Sequence, residues 1–203
     1  MRKAIRLAAI LTMLVTVGIS SFGFKNDGEK TVADFTLLNV NGRMISLKDY
    51  SNAKGLMVVF TCNHCPFAKL YPKRLNSLNK KYKPLGVPLI AISSTDTILY
   101  EEDMYPRMVA KAKADKINFP YLYDGTQKVA KDFAAQKTPH AFLIWKEKDQ
   151  WVIKYSGAID DNGMEPKLVQ KHLLANAVDA LLQGKPIEEK ETKSIGCQIM
   201  FRK

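Results

Sequence analysis

The chain has 203 residues, of which 46% are hydrophobic and 25% are charged. These proportions are typical of a globular protein and exclude a disordered chain, a collagen-like chain and a multi-span membrane protein. The formal net charge is +11, but 25 of the 31 basic residues are Lys and only 6 are Arg, a balance that disfavours nucleic acid as a partner. Three cysteines are too few for a disulfide scaffold in a chain of this length.

Residues 1–23 have the pattern of a signal peptide. Basic residues up to Arg6 precede an apolar run from Leu7 to about Gly18, and small residues follow at positions 20, 21 and 23. An uncleaved anchor is the alternative, because the run extended to Phe24 is just long enough to span a bilayer. We therefore expect an exported protein, either periplasmic or anchored in the membrane and facing the periplasm. Residues 24–203 are expected to form one domain, with a C-terminal tail over 185–203.

The first half of this domain alternates strand and helix patterns. Two short alternating runs around Asn41-Gly42 predict an opening β-hairpin over 34–50. Continuous apolar runs over 55–61 and 87–92 predict buried strands, the first of them central. A helix is expected over 66–83, with a kink at Pro72 and a solvated basic face. A second helix is expected over 101–116, with four apolar side chains facing inward, namely Met104, Met108, Val109 and Ala112.

The second half continues the alternation. Asp124 is the expected N-cap of a short helix that carries Val129 and Phe133. The runs 140–145 and 151–157 predict a second hairpin. A final helix is expected over 165–183, ending at Gly184. The order of elements therefore predicts a single α/β domain.

The motif Cys62-Asn63-His64-Cys65-Pro66 lies between the predicted central strand and the first predicted helix. A helix N-terminus stabilises a thiolate through its free N–H groups and its dipole, so Cys62 is the predicted nucleophile. Cys65 is placed to resolve a mixed disulfide on Cys62. The motif thus predicts dithiol/disulfide exchange through a Cys62–Cys65 disulfide, with no other cofactor and no resident metal. Pro66 occupies the place where c-type haem attachment needs His, and a zinc knuckle would need a second ligand pair.

Several separated motifs resemble the thioredoxin superfamily, in its exported TlpA/ResA-like and peroxiredoxin-like branches. They are Asp34-Phe35-Thr36, the Asn41-Gly42 hairpin, the strand that ends at the CxxC motif, and Thr138-Pro139. The CNHCP run, the segment 157–162 and the ending Ser194-Ile195-Gly196-Cys197 are similar to a peroxiredoxin-like (AhpC/TSA-type) redoxin group. The resemblance implies a thioredoxin-like fold, with a central mixed β-sheet flanked by helices. It also implies that Pro139 is a cis-proline facing the disulfide, and that Thr138 and Pro139 bind an extended substrate.

The resemblance leaves the activity open in three ways. Peroxiredoxin peroxidases carry their reactive cysteine in Pro-x-x-x-Thr-x-x-Cys, whereas Gly55 and Val59 stand at those places before Cys62. Exchange with protein or small thiols is therefore favoured, and a thiol peroxidase is the first alternative. A Cu or Zn metallochaperone with the ligands Cys62, Cys65 and His140 is the second alternative. The direction of electron flow and the redox partner are not indicated by the sequence.

Three further residues bear on the thiol pair. A protonated His64 would stabilise the Cys62 thiolate and make the disulfide more oxidising. The general acid/base for Cys65 is unassigned, with water, His64 or a distant carboxylate as options. Cys197, the odd thiol, is either a third, relaying thiol or an inert cysteine in a packed tail. A structural hydrogen bond is the expected role of His140.

Overall fold

The computed structural model describes residues 30–202, so the signal peptide predicted over residues 1–23 lies outside the described residues. Within this range the strands are β1 (Thr31–Val32), β2 (Thr36–Asn39), β3 (Met44–Ser46), β4 (Gly55–Thr61), β5 (Leu89–Ser93), β6 (Tyr121–Tyr123), β7 (Lys137–Thr138), β8 (His140–Glu147), β9 (Gln150–Gly157) and β10 (Cys197–Gln198). The α-helices of the same range are α1 (Pro72–Tyr82), α2 (Tyr105–Ala114), α3 (Lys128–Phe133) and α4 (Leu173–Leu182). None of these described helices is both long and apolar enough to cross a membrane.

A mixed eight-stranded sheet has the strand order β1-β9-β8-β4-β5-β6-β2-β3. The strands β4, β5 and β6 run parallel, whereas β8 pairs antiparallel with β4. Phe60 near the end of β4 lies opposite His140 at the start of β8. The residues that follow β4 and the residues that precede β8 therefore meet at the same end of these two central strands. Both predicted hairpins are confirmed, with β2 paired to β3 and β8 paired to β9.

Two hydrophobic cores lie on the two faces of this sheet. Because side chains alternate along a strand, Met57 and Val59 of β4 enter one core while Val58 and Phe60 enter the other. The first core is covered by α1, α2 and α4, and the second by α3. The resulting mixed α/β architecture confirms the predicted fold class. It also places β4, with six of its seven residues buried, at the centre of the molecule.

The first two helices begin later than the sequence pattern predicted. Pro72 stands in the first turn of α1, where its missing N–H has no helical partner to lose, so the predicted kink does not occur. The preceding residues Ala68–Leu70 form a 3₁₀ turn instead. A second 3₁₀ turn, Glu101–Asp103, precedes α2. Of the side chains expected to face inward on α2, Met108 is buried, but Met104 and Val109 are exposed.

Two further boundaries differ from the prediction. Asp124 is not the N-cap of α3, since Gln127 has that position. The buried Asp124 carboxylate instead accepts the backbone N–H of Ala130 at 3.1 Å and the hydroxyl of Ser94 at 2.8 Å. The last helix begins only at Leu173, because a 3₁₀ turn over 166–168 is followed by extended backbone.

The C-terminal tail returns across the molecule and is held by hydrogen bonds on both sides of β10. The N–H of Thr192 donates to a carbonyl of β9 at 2.9 Å, and the N–H of Ile199 donates to the carbonyl of Gln136 at 2.8 Å. The Ile199 side chain is buried in the second core. Between these anchors β10 pairs antiparallel with β7, which brings Cys197 opposite Thr138. The position of Cys197 is therefore set by backbone contacts on both sides.

Candidate functional site

The CxxC motif directly follows the C-terminal end of the central strand β4. Cys62 is 1% exposed and Cys65 is fully buried. The peptide bond between Thr138 and Pro139 is cis, as the resemblance implied. Thr138 contacts both thiols, because its hydroxyl lies 3.0 Å from Cys62 Sγ and its carbonyl accepts the Cys65 thiol at 3.1 Å. The antiparallel pairing of β4 with β8 thus brings the two motifs together.

A hydrogen bond between the two thiols governs their acidity. The bond from Cys62 to Cys65 lowers the pKa of Cys65 and is the largest cause that raises the pKa of Cys62. Burial acts against the thiolate at both positions. Backbone N–H groups of Ala68 and Cys197 point at the Cys65 sulfur and lower its pKa further, the second of them from 3.3 Å. The pair therefore loses its first proton more readily than an isolated thiol, and the thiolate is centred on Cys65.

This distribution of charge differs from the expectation for Cys62. The sequence predicted a helix N-terminus directly beside Cys62, but α1 begins at Pro72, ten residues further on. One backbone N–H, that of Cys65, still lowers the pKa of Cys62, but the Cys65 side chain and burial raise it by more. Cys65 has two such backbone donors, Ala68 and Cys197.

Asp103 is a site residue that the sequence analysis missed. Its fully buried carboxylate accepts the backbone N–H of Asn63 on one oxygen and hydrogen-bonds Nδ1 of His64 with the other. The His64 ring also stacks on Tyr100, with ring centroids 3.8 Å apart and planes 8° apart. These contacts hold His64 in one orientation beside Cys62. The acidic run 101–103 was the available signal, but nothing in it shows which carboxylate turns inward.

The same residues offer a set of metal-ligating atoms. Ligand atoms of Cys62, His64 and Asp103 lie within 4.8 Å of one another. Thiolate and imidazole groups suit Zn and Cu(I), so a soft metal ion could be held here. Such an ion would have to replace the existing hydrogen bond between His64 and Asp103.

His140 is not part of this set. Its Nδ1 accepts the backbone N–H of Gln136 at 3.2 Å, and its Nε2 lies 3.1 Å from the hydroxyl of Ser156. Burial, with a smaller effect of Lys137, lowers the pKa of His140 to about 4. The ring is thus a neutral, hydrogen-bonded structural group, and the metal ligand set that included it is replaced by the one around Asp103.

The C-terminal strand occupies the place that the resemblance implied for a substrate. Gly196 passes so close to Thr138 that a Cβ on it would lie 2.1 Å from the Thr138 carbonyl oxygen. The N–H of Cys197 donates to Cys65 Sγ, and the Cys197 side chain packs against the two buried cysteines. Unlike the other two cysteines, Cys197 is only partly buried. Three thiols are therefore brought together, with Cys65 in contact with both of the others.

These observations define the class of protein. A central mixed sheet with helices on both faces, a CxxC motif after the central strand and a cis-proline beside it constitute the thioredoxin-like fold of a redoxin. Among solved structures, a putative thiol:disulfide interchange protein DsbE from Chlorobium tepidum shares this fold with a TM-score of 0.57 at 18% identity, covering 76% of this chain and 96% of its own.

The profile of the AhpC/TSA family matches residues 29–161, and the chain therefore belongs to this family. It is similar to the thiol-disulfide oxidoreductase ResA of Bacillus thuringiensis (strain Al Hakam), with 27% identity over 156 residues, which cover 72% of this chain and 86% of ResA. It is also similar to a solved, uncharacterized conserved protein from Geobacillus kaustophilus, with a TM-score of 0.78 and 36% identity, covering 86% of this chain and 92% of that one.

Proposed function

We propose that this protein is a thiol-disulfide oxidoreductase that exchanges its Cys62–Cys65 dithiol or disulfide with protein thiols or small thiols. The observation that carries the proposal is the pair of buried thiols held against Thr138 and the cis-proline. The similarity to ResA supports it. The N-terminal pattern supports an exported location, and an unidentified redox partner supplies or removes the electrons.

The exchange needs only the two sulfurs as redox groups. A substrate thiolate attacks one sulfur of the disulfide, the Cys62–Cys65 bond breaks, and the other cysteine leaves as a thiolate. A second substrate thiolate then attacks the substrate sulfur of this mixed disulfide. The protein cysteine leaves as a thiolate, so that two electrons have passed to the protein. The same two steps in the opposite direction reduce a substrate disulfide. Asp103 orients His64 beside Cys62, where the imidazole is placed to exchange a proton with the departing or attacking sulfur.

The test is equilibration of the purified protein with glutathione buffers, followed by acid quenching, alkylation and mass spectrometry. We expect one Cys62–Cys65 disulfide that titrates within the range of known redoxins, about −270 to −120 mV. The variants Cys62→Ser and Cys65→Ser must each lose this disulfide. The exposed Ser77 of α1 offers a control, since Ser77→Ala leaves the thiol pair untouched.

A pair that stays reduced in oxidised glutathione would contradict the proposal. Stoichiometric Cu or Zn in the purified protein, lost in Cys62→Ser and in His64→Ala, would then indicate the metal-binding alternative. Peroxide consumption that survives Cys65→Ser would instead indicate a thiol peroxidase.

A further inference from the structure

The redox pair is enclosed, whereas the third thiol is open to solvent in part. Cys62 is 1% exposed and Cys65 is fully buried, and both pack beneath Phe67 and Cys197. An extended substrate is unable to pair with Thr138 while β10 occupies that position. An external disulfide therefore meets Cys197 before it meets either member of the pair.

We propose that Cys197 is the thiol through which the buried pair exchanges electrons with its substrates. This inference rests on the proposed function and adds a path for it. The C-terminal strand lies where a substrate strand would lie, and it carries its own cysteine opposite Thr138. It thus serves as a permanently bound internal substrate of the Cys62–Cys65 pair.

The contacts define the order of the relay. The N–H of Cys197 donates to Cys65 Sγ at 3.3 Å, and the Cys197 side chain packs against the two buried cysteines. Cys65 also lies in one buried cluster with Cys62. Because Cys65 is the sulfur shared by both contacts, electrons must pass between Cys62 and Cys197 through Cys65.

Each step is a thiol-disulfide exchange without any added oxidant or reductant beyond the external disulfide. The Cys65 thiolate takes the proton of the Cys197 thiol, and the resulting Cys197 thiolate attacks an external disulfide. A mixed disulfide forms on Cys197, and the first external thiolate leaves and takes that proton from Cys65. The Cys65 thiolate then attacks Cys197 Sγ, so that a Cys65–Cys197 bond forms and the second external thiol leaves. Finally the Cys62 thiolate attacks Cys65 Sγ, which forms the Cys62–Cys65 bond and returns Cys197 as a thiolate. The two protons that begin on Cys62 and Cys197 thus end on the two external thiols, the second passing from Cys62 to the second leaving thiolate.

The tail is built to hold Cys197 at this place. Gly196 leaves no room for a side chain against Thr138, so the strand approaches as closely as its backbone allows. The anchors at Thr192 and Ile199 fix the chain on either side. A thiol restrained in this way reacts with its neighbour at a high effective concentration, as an intramolecular step requires.

The first test compares how fast a small aromatic disulfide oxidises the reduced wild-type protein and the Cys197→Ser variant. We expect the rate at which the Cys62–Cys65 disulfide forms to fall about tenfold or more in Cys197→Ser, since direct attack requires the tail to open. As a matched control, Cys197→Ser combined with Gln198→Cys puts a thiol on the opposite side of β10 and should not restore the rate. A Cys197→Ser protein that is oxidised at the wild-type rate or faster overturns the relay.

The second test traps the intermediate. In Cys62→Ser the last step has no attacking thiol, so a Cys65–Cys197 disulfide should accumulate and be found by peptide mapping. If this variant keeps both thiols free while the wild type forms its Cys62–Cys65 disulfide, the relay is wrong and the proposed function stands. If the wild type forms no Cys62–Cys65 disulfide, the proposed function itself is wrong. Circular dichroism of each variant establishes that the fold is retained.

Discussion

His140 illustrates how burial fixes the charge state of a single side chain beside the thiol site. It is 8% exposed, and both ring nitrogens have partners within the protein. The low-polarity surroundings disfavour the imidazolium form, and Lys137 adds a smaller repulsion, so its pKa is lowered to about 4 from 6.5. The folded protein therefore keeps this ring neutral over a pH range in which the unfolded chain protonates it.

We predict that the free energy of unfolding depends on pH through His140. The pKa of His140 is lower in the folded protein than in the unfolded chain. The stability that this difference provides is therefore complete above about pH 6.5 and is lost as the pH falls toward 4. The expected loss is about 2 kcal/mol between pH 7.5 and pH 5, measured by urea denaturation. His140→Gln should show a correspondingly weaker dependence on pH. Equal dependence in both proteins would show that His140 is not the titrating group.

At this scale the sequence predicted local motifs and missed distant partners. Cys62, Cys65 and Pro139 could be found because each lies in a short motif whose chemistry depends on adjacent residues. Asp103 could not be found, because it is 39 residues from His64 and acts only when its loop folds back. The donors of Cys65 were missed for a related reason, since one of the backbone N–H groups that lower its pKa comes from the tail.

At the scale of elements, α1 is joined to the loop after β9 by a buried ion pair. The Arg74 guanidinium donates to both Asp160 oxygens, at 3.0 and 2.8 Å, and to the carbonyls of Asn162 and Gly163. Tyr71 donates its hydroxyl to the same carboxylate at 3.0 Å. The sequence predicted a solvated basic face for α1, and its lysines are indeed exposed. Arg74 is the exception because it lies on the side of the helix that faces this loop.

We predict that Arg74→Ala lowers the free energy of unfolding by about 3 kcal/mol, because it leaves the Asp160 carboxylate buried without its cation. Arg74→Lys should restore only part of this, since a single ammonium group cannot hold the Asp160 carboxylate with one nitrogen and the Gly163 carbonyl with another, as the guanidinium does. The exposed neighbour Lys73 provides the control, and Lys73→Ala should change stability by less than about 0.5 kcal/mol. Urea denaturation of the three variants measures these differences. Equal losses in Arg74→Ala and Lys73→Ala would contradict the prediction.

Element types could be predicted from the sequence more reliably than element boundaries. Apolar residues continue at helical spacing from Phe67 through Tyr71 to Leu75, although the first of these precede α1. A 3₁₀ turn also directs side chains three residues apart toward one side, so periodicity does not separate it from an α-helix. The strand β10 had no pattern of its own, because two residues are too few to show alternation. Its place depends on the close approach that Gly196 permits.

At the scale of the whole molecule, the redox state of the pair is coupled to stability. The hydrogen bonds that the thiolate form of Cys65 accepts from Cys62 and from the Cys197 N–H are features of the reduced protein. A disulfide removes the charge that these donors stabilise. Because the fold favours the reduced state, it raises the reduction potential of the disulfide relative to that of an unfolded chain.

We therefore predict that the reduced protein is more stable than the oxidised protein. The difference in the free energy of unfolding should be about 1.4 kcal/mol for each 30 mV by which folding raises the reduction potential. Urea denaturation with and without reductant measures it. The double variant Cys62→Ser, Cys65→Ser should unfold at one urea concentration under both conditions. A wild-type protein that is more stable when oxidised would reverse the inferred sign.

The sequence distances within the site also have a kinetic consequence. Cys62 meets Thr138 across 76 residues, and Cys65 meets Cys197 across 132. Contacts of such separation require large loops to close, whereas the β2–β3 hairpin forms from neighbouring residues. We expect the thiols to be covered only near the end of folding. Until then the thiols are accessible to any oxidant in the surrounding compartment. The rate of folding therefore competes with the rate at which the exposed thiols are oxidised.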